Sequence, residues 1–414
     1  MNVFMKNENV RKALDFLKDD NDAMLKDLLE LVQIPAFSNH EKAKAEEMMR
    51  RFARLGLDDV HMDEVWNVFG TLRGTKGNPK IMVAAHTDVV FPLDVPLEPK
   101  EKNGIYYAPG INDDTHGLAD ILTLIRAIQF ADIRFDGDII FCANVGEEGL
   151  GDLRGVKHIF GKPNDIDAFI SLDTPTVGGI VHRATGSHRY RVTFAGRGGH
   201  SFADFGLPNP IHAMGRAIAA IAEFRVPKTP KTTFNVGVMK GGTSINTISE
   251  TCELLLDIRS DAPEELARLE NEMQAVVQEA AMLENQRWNS SDKVTASIEQ
   301  IGRRPAGSQP DDCLIVRIAM EACKALGIEP ELSDETSTDA NIPIALGIPA
   351  LSVGRGGREG GVHTVGEWFD PTDAWLGPQK DLLMMLAMAG MDQVAPARMP
   401  KKTSTRVYVE STTD

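Results

Sequence analysis

Four apolar runs of this chain finish in residues able to hold a metal ion or move a proton. They supply His86 and Asp88 in HTDVV, Asp113 and Asp114 in GINDDTHG, Glu147 and Glu148 in GEEG, and Asp173 in SLDTP. A fifth stretch, the glycine-rich GVHTVGEW, carries His363. Any one of these residues alone reads as a helix cap or a satisfied structural group. Gathered at one sheet edge they would repel one another or stay unpaired unless cations neutralised them. Two imidazoles, several carboxylates and no thiolate suit zinc, manganese or cobalt in a catalytic setting, not a closed structural zinc site. The donors outnumber what one open zinc site needs, so two ions sharing a carboxylate is the economical arrangement. Neighbours on an extended segment point opposite ways, which lets one of Glu147 and Glu148 hold a metal while the other faces water. The pair Asp113 and Asp114 also suits a helix start, because the run LADILTLIRAI follows it and an aspartate there caps free N–H groups.

Periodicity identifies the elements that must position these groups. Residues 8–56 carry helical spacing with a break at IPAFS. The short apolar runs KIMVAAHTDVV, DGDIIFCANVGEE and DAFISLDTP then alternate with helical stretches such as GLADILTLIRAIQFA. That alternation predicts an α/β fold: a mixed, largely parallel sheet flanked by helices, with sites at the strand ends. From about His188 the texture changes to half-exposed strands, RYRVTFAG, TTFNVGVMKGG and TCELLLDIRSD, with helices at PIHAMGRAIAAIAEF and PEELARLENEMQAVVQEAAMLENQ. Strand, helix, strand, strand, helix, strand is the order of an α+β split βαβ, or ferredoxin-like, unit. The α/β texture resumes with DCLIVRIAMEACKALG and IPALSVG. The expected division is a catalytic domain built from residues 1–187 and 303–395, an inserted domain at 188–302, and a polar tail at 396–414. The tail has no pattern and is expected to be loosely held unless it pairs with another chain.

Composition removes several classes of function. The 414 residues hold 44 Lys and Arg against 60 Asp and Glu, a formal net charge of −16, which leaves no basic surface for nucleic acid. No apolar stretch reaches the roughly 18 residues of a membrane span, and the charged N-terminus lacks a signal-type apolar core. The cytoplasm is the expected compartment. Cys142, Cys252, Cys313 and Cys323 are scattered without metal-ligand spacing and read as reduced core residues.

The ordered series HTDVV, APGINDD, GEEG, SLDTP and GVHT resembles the superfamily of co-catalytic metallohydrolases. That superfamily includes peptidase T, glutamate carboxypeptidase, aminoacylase, acetylornithine deacetylase and succinyl-diaminopimelate desuccinylase. The resemblance runs from about residue 25 to 392 and includes the inserted unit. It implies His86 and Asp173 as ligands of one divalent ion, Glu148 and His363 as ligands of a second, and Asp113 as the bridge, with zinc first and manganese or cobalt as alternatives. One or two ions per subunit fit that set. Asp88 would orient His86, and Glu147 would be the general base. A cis peptide between Asp113 and Asp114 is implied as well. In the inserted unit, His200 of GRGGHSF would stabilise the oxyanion, often in a partner subunit, so a homodimer or higher homo-oligomer through that unit is expected. Asn246 and Arg259 resemble substrate contacts, since an arginine fork suits a carboxylate.

Relatives usually follow the paired aspartates with lysine and glycines, whereas Thr115 and His116 stand here. His116 is thereby a candidate ligand, proton-transfer group or substrate contact. Arg355 in VGRGGREGG is a candidate substrate contact or part of a flexible glycine loop. His40, His61, His158 and His212 read as structural or exposed, while His182 and His188 flank the domain junction within reach of a cleft. The implied reaction is hydrolysis of a peptide or amide C–N bond in a small substrate with a free carboxylate. Two alternatives stand beside it. One is an aminohydrolase releasing ammonia from an activated aromatic amino acid such as a nitroanthranilate. The other is a non-catalytic binding protein retaining the fold, against which the full donor set argues.

Overall fold

The computed structural model describes residues 1–333, 336–403 and 405–409. The chain divides into two compact units, one comprising Met1–Ala184 with Ser308–Asp414 and the other Thr185–Gly307.

The first unit is organised by an eight-stranded sheet. Four of its strands, Asp138–Asn144, Lys80–His86, Ala168–Thr174 and Ala350–Gly354, lie side by side and run parallel. Antiparallel strands Asp58–Met62 and Val68–Leu72 extend one side, and the short strands Gly179–Val181 and Glu331–Ser333 the other. The expected mixed, largely parallel sheet flanked by helices is therefore present. Its central strands are buried on both faces, as parallel strands between helical layers must be. The period of two is visible in the packing. Ile81, Val83 and Ala85 join one apolar cluster, with Ile139, Phe141 and Ile170, while Met82 and Ala84 join another, with Cys142 and Phe169. Helix Thr115–Phe130 and helix Leu376–Ala389 are buried almost all round and pack into the first of these clusters. Each fully buried large apolar side chain contributes about 1.5–3 kcal/mol, so these two helices fix the sheet firmly beneath the strand ends.

The second unit follows the order strand Gly186–Ala195, helix Pro210–Ile221, strands Thr232–Gly241 and Thr251–Ser260, helix Pro263–Arg287, strand Thr295–Arg304. The sheet order is second, third, first, fourth, all antiparallel. Alternate residues of Thr251–Ser260 are buried, the pattern of a sheet covered on one face.

The four cysteines are free, three of them buried. Among the described residues no helix is long and apolar enough to cross a membrane. The polar tail departs from expectation. Its described part is pinned to the first unit: Arg398 pairs with Glu321, the Lys402 N–H donates to Asp167, the Arg406 guanidinium to the Leu346 carbonyl, and the Tyr408 N–H to the Phe160 carbonyl. Periodicity could not show this, because backbone groups and long cations make those contacts. Residues 404 and 410–414 lie outside the described residues.

Candidate metal centre

Parallel strands deliver their C-terminal ends to one edge, and the chemistry collects there. His86 is the last residue of Lys80–His86 and Asp173 the penultimate residue of Ala168–Thr174, while Glu147 and Glu148 follow Asp138–Asn144. Asp113 precedes helix Thr115–Phe130, and its bond to Asp114 is cis. His363 sits after the strand Arg358–Gly360 with φ 65°. His86 Nε2 lies 3.1 Å from Asp113 Oδ1 and 3.9 Å from Asp173 Oδ1. His363 Nε2 lies 3.0 Å from Asp113 Oδ2 and 2.8 Å from Glu148 Oε1. Two donor triads result, His86–Asp113–Asp173 and Asp113–Glu148–His363, each with its ligand atoms within 4.8 Å of one another. Asp113 belongs to both, turning one oxygen to each histidine. A third grouping, His86 with Glu147 and Glu148, places the remaining glutamate beside them.

The electrostatics agree with a donor set built for cations. Burial would raise the Asp113 carboxyl, yet hydrogen bonds with His363 and His86 hold it well below the usual range. Asp173 is pushed well above it by burial and by the charge of Asp113. Burial lifts Glu148 to about 7 despite the His363 hydrogen bond, with Glu147 and Asp113 adding repulsion. Asp113 and Glu148 in turn raise His363 to about 10. The histidines here stand opposite a surplus of buried negative charge that protons alone neutralise poorly. Divalent ions in the two triads would balance it, so the residues present fit the metals.

Three further carboxylates fasten the segments that carry these donors. Asp88 is fully buried and ionised, since bonds from His86 and Ser38 overcome the cost of burial. It accepts the Glu147 N–H at 3.0 Å, the Glu148 N–H at 2.9 Å and the Ser38 hydroxyl at 2.7 Å. Its expected hold on His86 is made differently: His86 Nδ1 lies 3.0 Å from the Asp88 main-chain oxygen and 3.5 Å from its carboxylate. The shorter contact is to the main chain, and the carboxylate also serves the glutamate segment. Glu367 accepts N–H bonds from Gly110 and Asn112, each at 2.8 Å, and from Asp113 at 3.3 Å. Asp114 accepts the His86 N–H at 3.0 Å and caps its helix through the Gly117 N–H at 3.2 Å. A Cβ at position 117 would collide with that carboxylate and with the Leu172 carbonyl, which accounts for the glycine.

Two candidates lie inside the protein. The His116 side chain is fully buried, its ring lies against Phe369 with centroids 4.4 Å apart, and Nε2 is 3.5 Å from Asp120. Burial holds it well below the usual histidine range, hence neutral. A helix turns about 100° per residue, so the second residue of this helix faces inward although its neighbours border the site. Arg355 is buried, with Nη1 donating to Asp114 at 2.7 Å and Asp173 at 3.3 Å, and Nη2 to Glu359 at 3.1 Å.

The second-unit candidates are described within that unit. His200 is exposed, its Nδ1 accepting the Phe202 and Ala203 N–H groups. Asn246 is exposed on the facing segment, and its carbonyl accepts the Ser201 N–H. Arg259 is half-exposed beside Asp257, to which its Nε donates at 2.7 Å. His182 is engaged by Asp311 at 2.9 Å, and His188 is buried 3.4 Å from Glu270. His40, His61 and His212 are exposed, and His158 lies 3.1 Å from Glu64. Sequence reading missed Glu367 and also Asp339, a buried carboxyl that takes the Asn144 amide at 2.7 Å and is pushed well above the usual range by burial and by the charge of Glu147. Glu367 stands four residues after His363 in GVHTVGEW, and that proximity was its only signal.

The model of peptidase family M20/M25/M40 matches residues 82–387. The Bacillus subtilis protein YqjE, described as uncharacterized, is 28% identical over 359 residues, covering 83% of this chain and 92% of that protein. The succinyl-diaminopimelate desuccinylase of Corynebacterium glutamicum is 26% identical over 339 residues, covering 79% and 86% respectively. Among solved structures, a tripeptidase of Staphylococcus aureus superposes with a TM-score of 0.74 at 25% identity, over 88% of this chain and 97% of that one.

Proposed function

This chain belongs to peptidase family M20/M25/M40 and is a metallohydrolase, and from that premise we propose that it hydrolyses a peptide or amide C–N bond in a small carboxylate-bearing substrate. The carrying observation is the pair of donor triads that share Asp113, with Glu147 adjoining them. His86 and Asp173 would hold one divalent ion, Glu148 and His363 the other, and Asp113 both. When bound, such ions supply Lewis acidity, polarising the scissile carbonyl and lowering the pKa of water toward neutrality. The protein's own part is proton movement and positioning. Glu147, buried and held at its backbone by Asp88, takes a proton from the attacking water and returns it to the leaving nitrogen. The hydroxide adds to the carbonyl carbon, and collapse of the tetrahedral adduct breaks the C–N bond.

The resemblance supports His200 as an oxyanion donor acting across a homodimer, with Asn246 and Arg259 gripping substrate. Zinc is the first candidate metal. A screen of dipeptides and N-acyl amino acids, following free amine and ammonia together, tests the reaction. Release of amine is expected, and ammonia without cleavage would replace the reading with an aminohydrolase. Glu147→Gln is expected to abolish turnover and retain the wild-type metal content. Loss of metal in that variant would show Glu147 to be a ligand.

A further inference from the structure

The sheet of the second unit buries one face beneath its helices and carries charge on the other. Leu254, Leu256 and Ile258 of strand Thr251–Ser260 join the apolar cluster of that unit, so Asp257 and Arg259, which alternate with them, share the opposite face. Arg259 Nε donates to Asp257 Oδ2 at 2.7 Å. Ser187 Oγ donates to Asp257 Oδ1 at 2.9 Å, and Arg189 Nε lies 3.5 Å from the same oxygen. The strand register builds this group, because Gly186–Ala195 pairs with Thr251–Ser260 so that Arg189 stands opposite Asp257 and Ser187 opposite Arg259.

The Nε bond fixes the guanidinium from one side and leaves its two Nη groups. Among the described residues these make no hydrogen bond or ion pair, and the side chain is half-exposed. They are the end of the fork that can hold a carboxylate through two parallel bonds. An unanchored arginine at such a position would spread the fork over many rotamers, and each binding event would have to order it. We propose that Asp257 is a positioning residue, which through Arg259 Nε aims the Nη fork of Arg259 at the substrate carboxylate. Asp257 also acts in the opposite sense, since its own charge repels an anion. Two guanidinium groups face this one carboxylate, so Arg189 offsets that charge, whereas no other hydrogen bond or ion pair among the described residues holds the Arg259 side chain. Positioning therefore prevails, and removal of Asp257 weakens substrate binding.

The proposal deepens the proposed function and rests on it for the substrate class, but the anchor itself is testable without substrate. Asp257→Ala removes the anchor, and Asp257→Asn keeps the shape with a neutral acceptor in case the alanine variant does not fold. In nitrogen-15 NMR spectra, the Arg259 Nε–H signal is assigned by its loss in Arg259→Ala. Its exchange with water is expected to be about tenfold faster in Asp257→Ala and intermediate in Asp257→Asn, the scale of losing a charge-assisted bond. Wild-type exchange in both would overturn the proposal. Kinetics use the best-cleaved dipeptide or N-acyl amino acid and the same compound with its carboxylate converted to an amide. For the carboxylate compound, KM is expected to rise about tenfold in Asp257→Ala and less in Asp257→Asn, with kcat within about twofold of wild type. The amide compound is expected to show no such rise, and loss of Asp257 is expected to add nothing once Arg259→Ala is present. An unchanged or lower KM for the carboxylate compound, equal losses on both compounds, or additive effects of the two substitutions would overturn the proposal. Should Arg259→Ala itself leave that KM unchanged, the substrate role proposed for Arg259 fails. A rise in Arg259→Ala with none in either Asp257 variant would overturn the positioning alone.

Discussion

Replacing Asp88 by asparagine tests how the glutamate segment is held. The carboxylate serves two sides: Oδ1 takes the Glu147 N–H at 3.0 Å, while Oδ2 takes the Glu148 N–H at 2.9 Å and the Ser38 hydroxyl at 2.7 Å. Asparagine can keep only one acceptor. With its oxygen on the Ser38 and Glu148 side, its amide group points at the Glu147 N–H and two donors oppose each other. One charge-assisted bond is lost at a fully buried site, about 1.5–3 kcal/mol. At 1.4 kcal/mol per factor of ten, this corresponds to about a tenfold to a hundredfold loss if the segment must be in place for Glu148 to bind metal. Comparable losses follow removal of groups that orient metal ligands. The assay is competition with a chelator for zinc on initially metal-free protein, with circular dichroism to verify the fold. An affinity within about twofold of wild type in a folded variant would refute the reasoning, because the segment would then be held by something other than Asp88.

Other consequences are independent of substrate. His116→Leu is expected to leave zinc affinity unchanged and to preserve the melting temperature, since among the described residues neither buried ring nitrogen makes a hydrogen bond and the nearest approach is that of Nε2 to Asp120 at 3.5 Å; a large loss of turnover would place His116 in the site. Asp381 is buried in helix Leu376–Ala389, and burial lifts its pKa to about 6 despite Lys380. A carboxyl raised on folding contributes stability that is complete below its unfolded pKa of about 4 and is lost as pH rises through about 6. Asp381→Asn is therefore expected to gain on the order of 3 kcal/mol over wild type at pH 8 and nothing at pH 4, read by urea unfolding of metal-free protein. Parallel pH profiles for the two proteins would contradict that.

The candidate donors that the fold brings together were legible in the sequence because they stand at the ends of apolar strands, where parallel-sheet topology gathers side chains. His86, Glu147 with Glu148, and Asp173 follow from that logic, and Asp113 from its place ahead of an apolar helix. Not every group that holds the donor segments was legible. Glu367 comes from the far end of the chain and is a residue type that ordinarily marks a solvated surface. Only tertiary burial distinguishes it, and no periodic pattern encodes that. His116 is the reciprocal case: it is near Asp113 in sequence, and helical rotation turns its ring toward Phe369. Arg355 was singled out in the sequence, but its bonds to Asp114 and Asp173 were not, because sequence cannot say which way a long cation points.

The central claim is that the strand ends form a two-metal centre bridged by one aspartate. Anomalous diffraction from crystals of zinc-reconstituted protein tests it most directly. Two peaks are expected, one among His86, Asp113 and Asp173 and one among Asp113, Glu148 and His363, with Asp113 touching both. Absence of zinc from both triads, or ions bound elsewhere, would contradict the account.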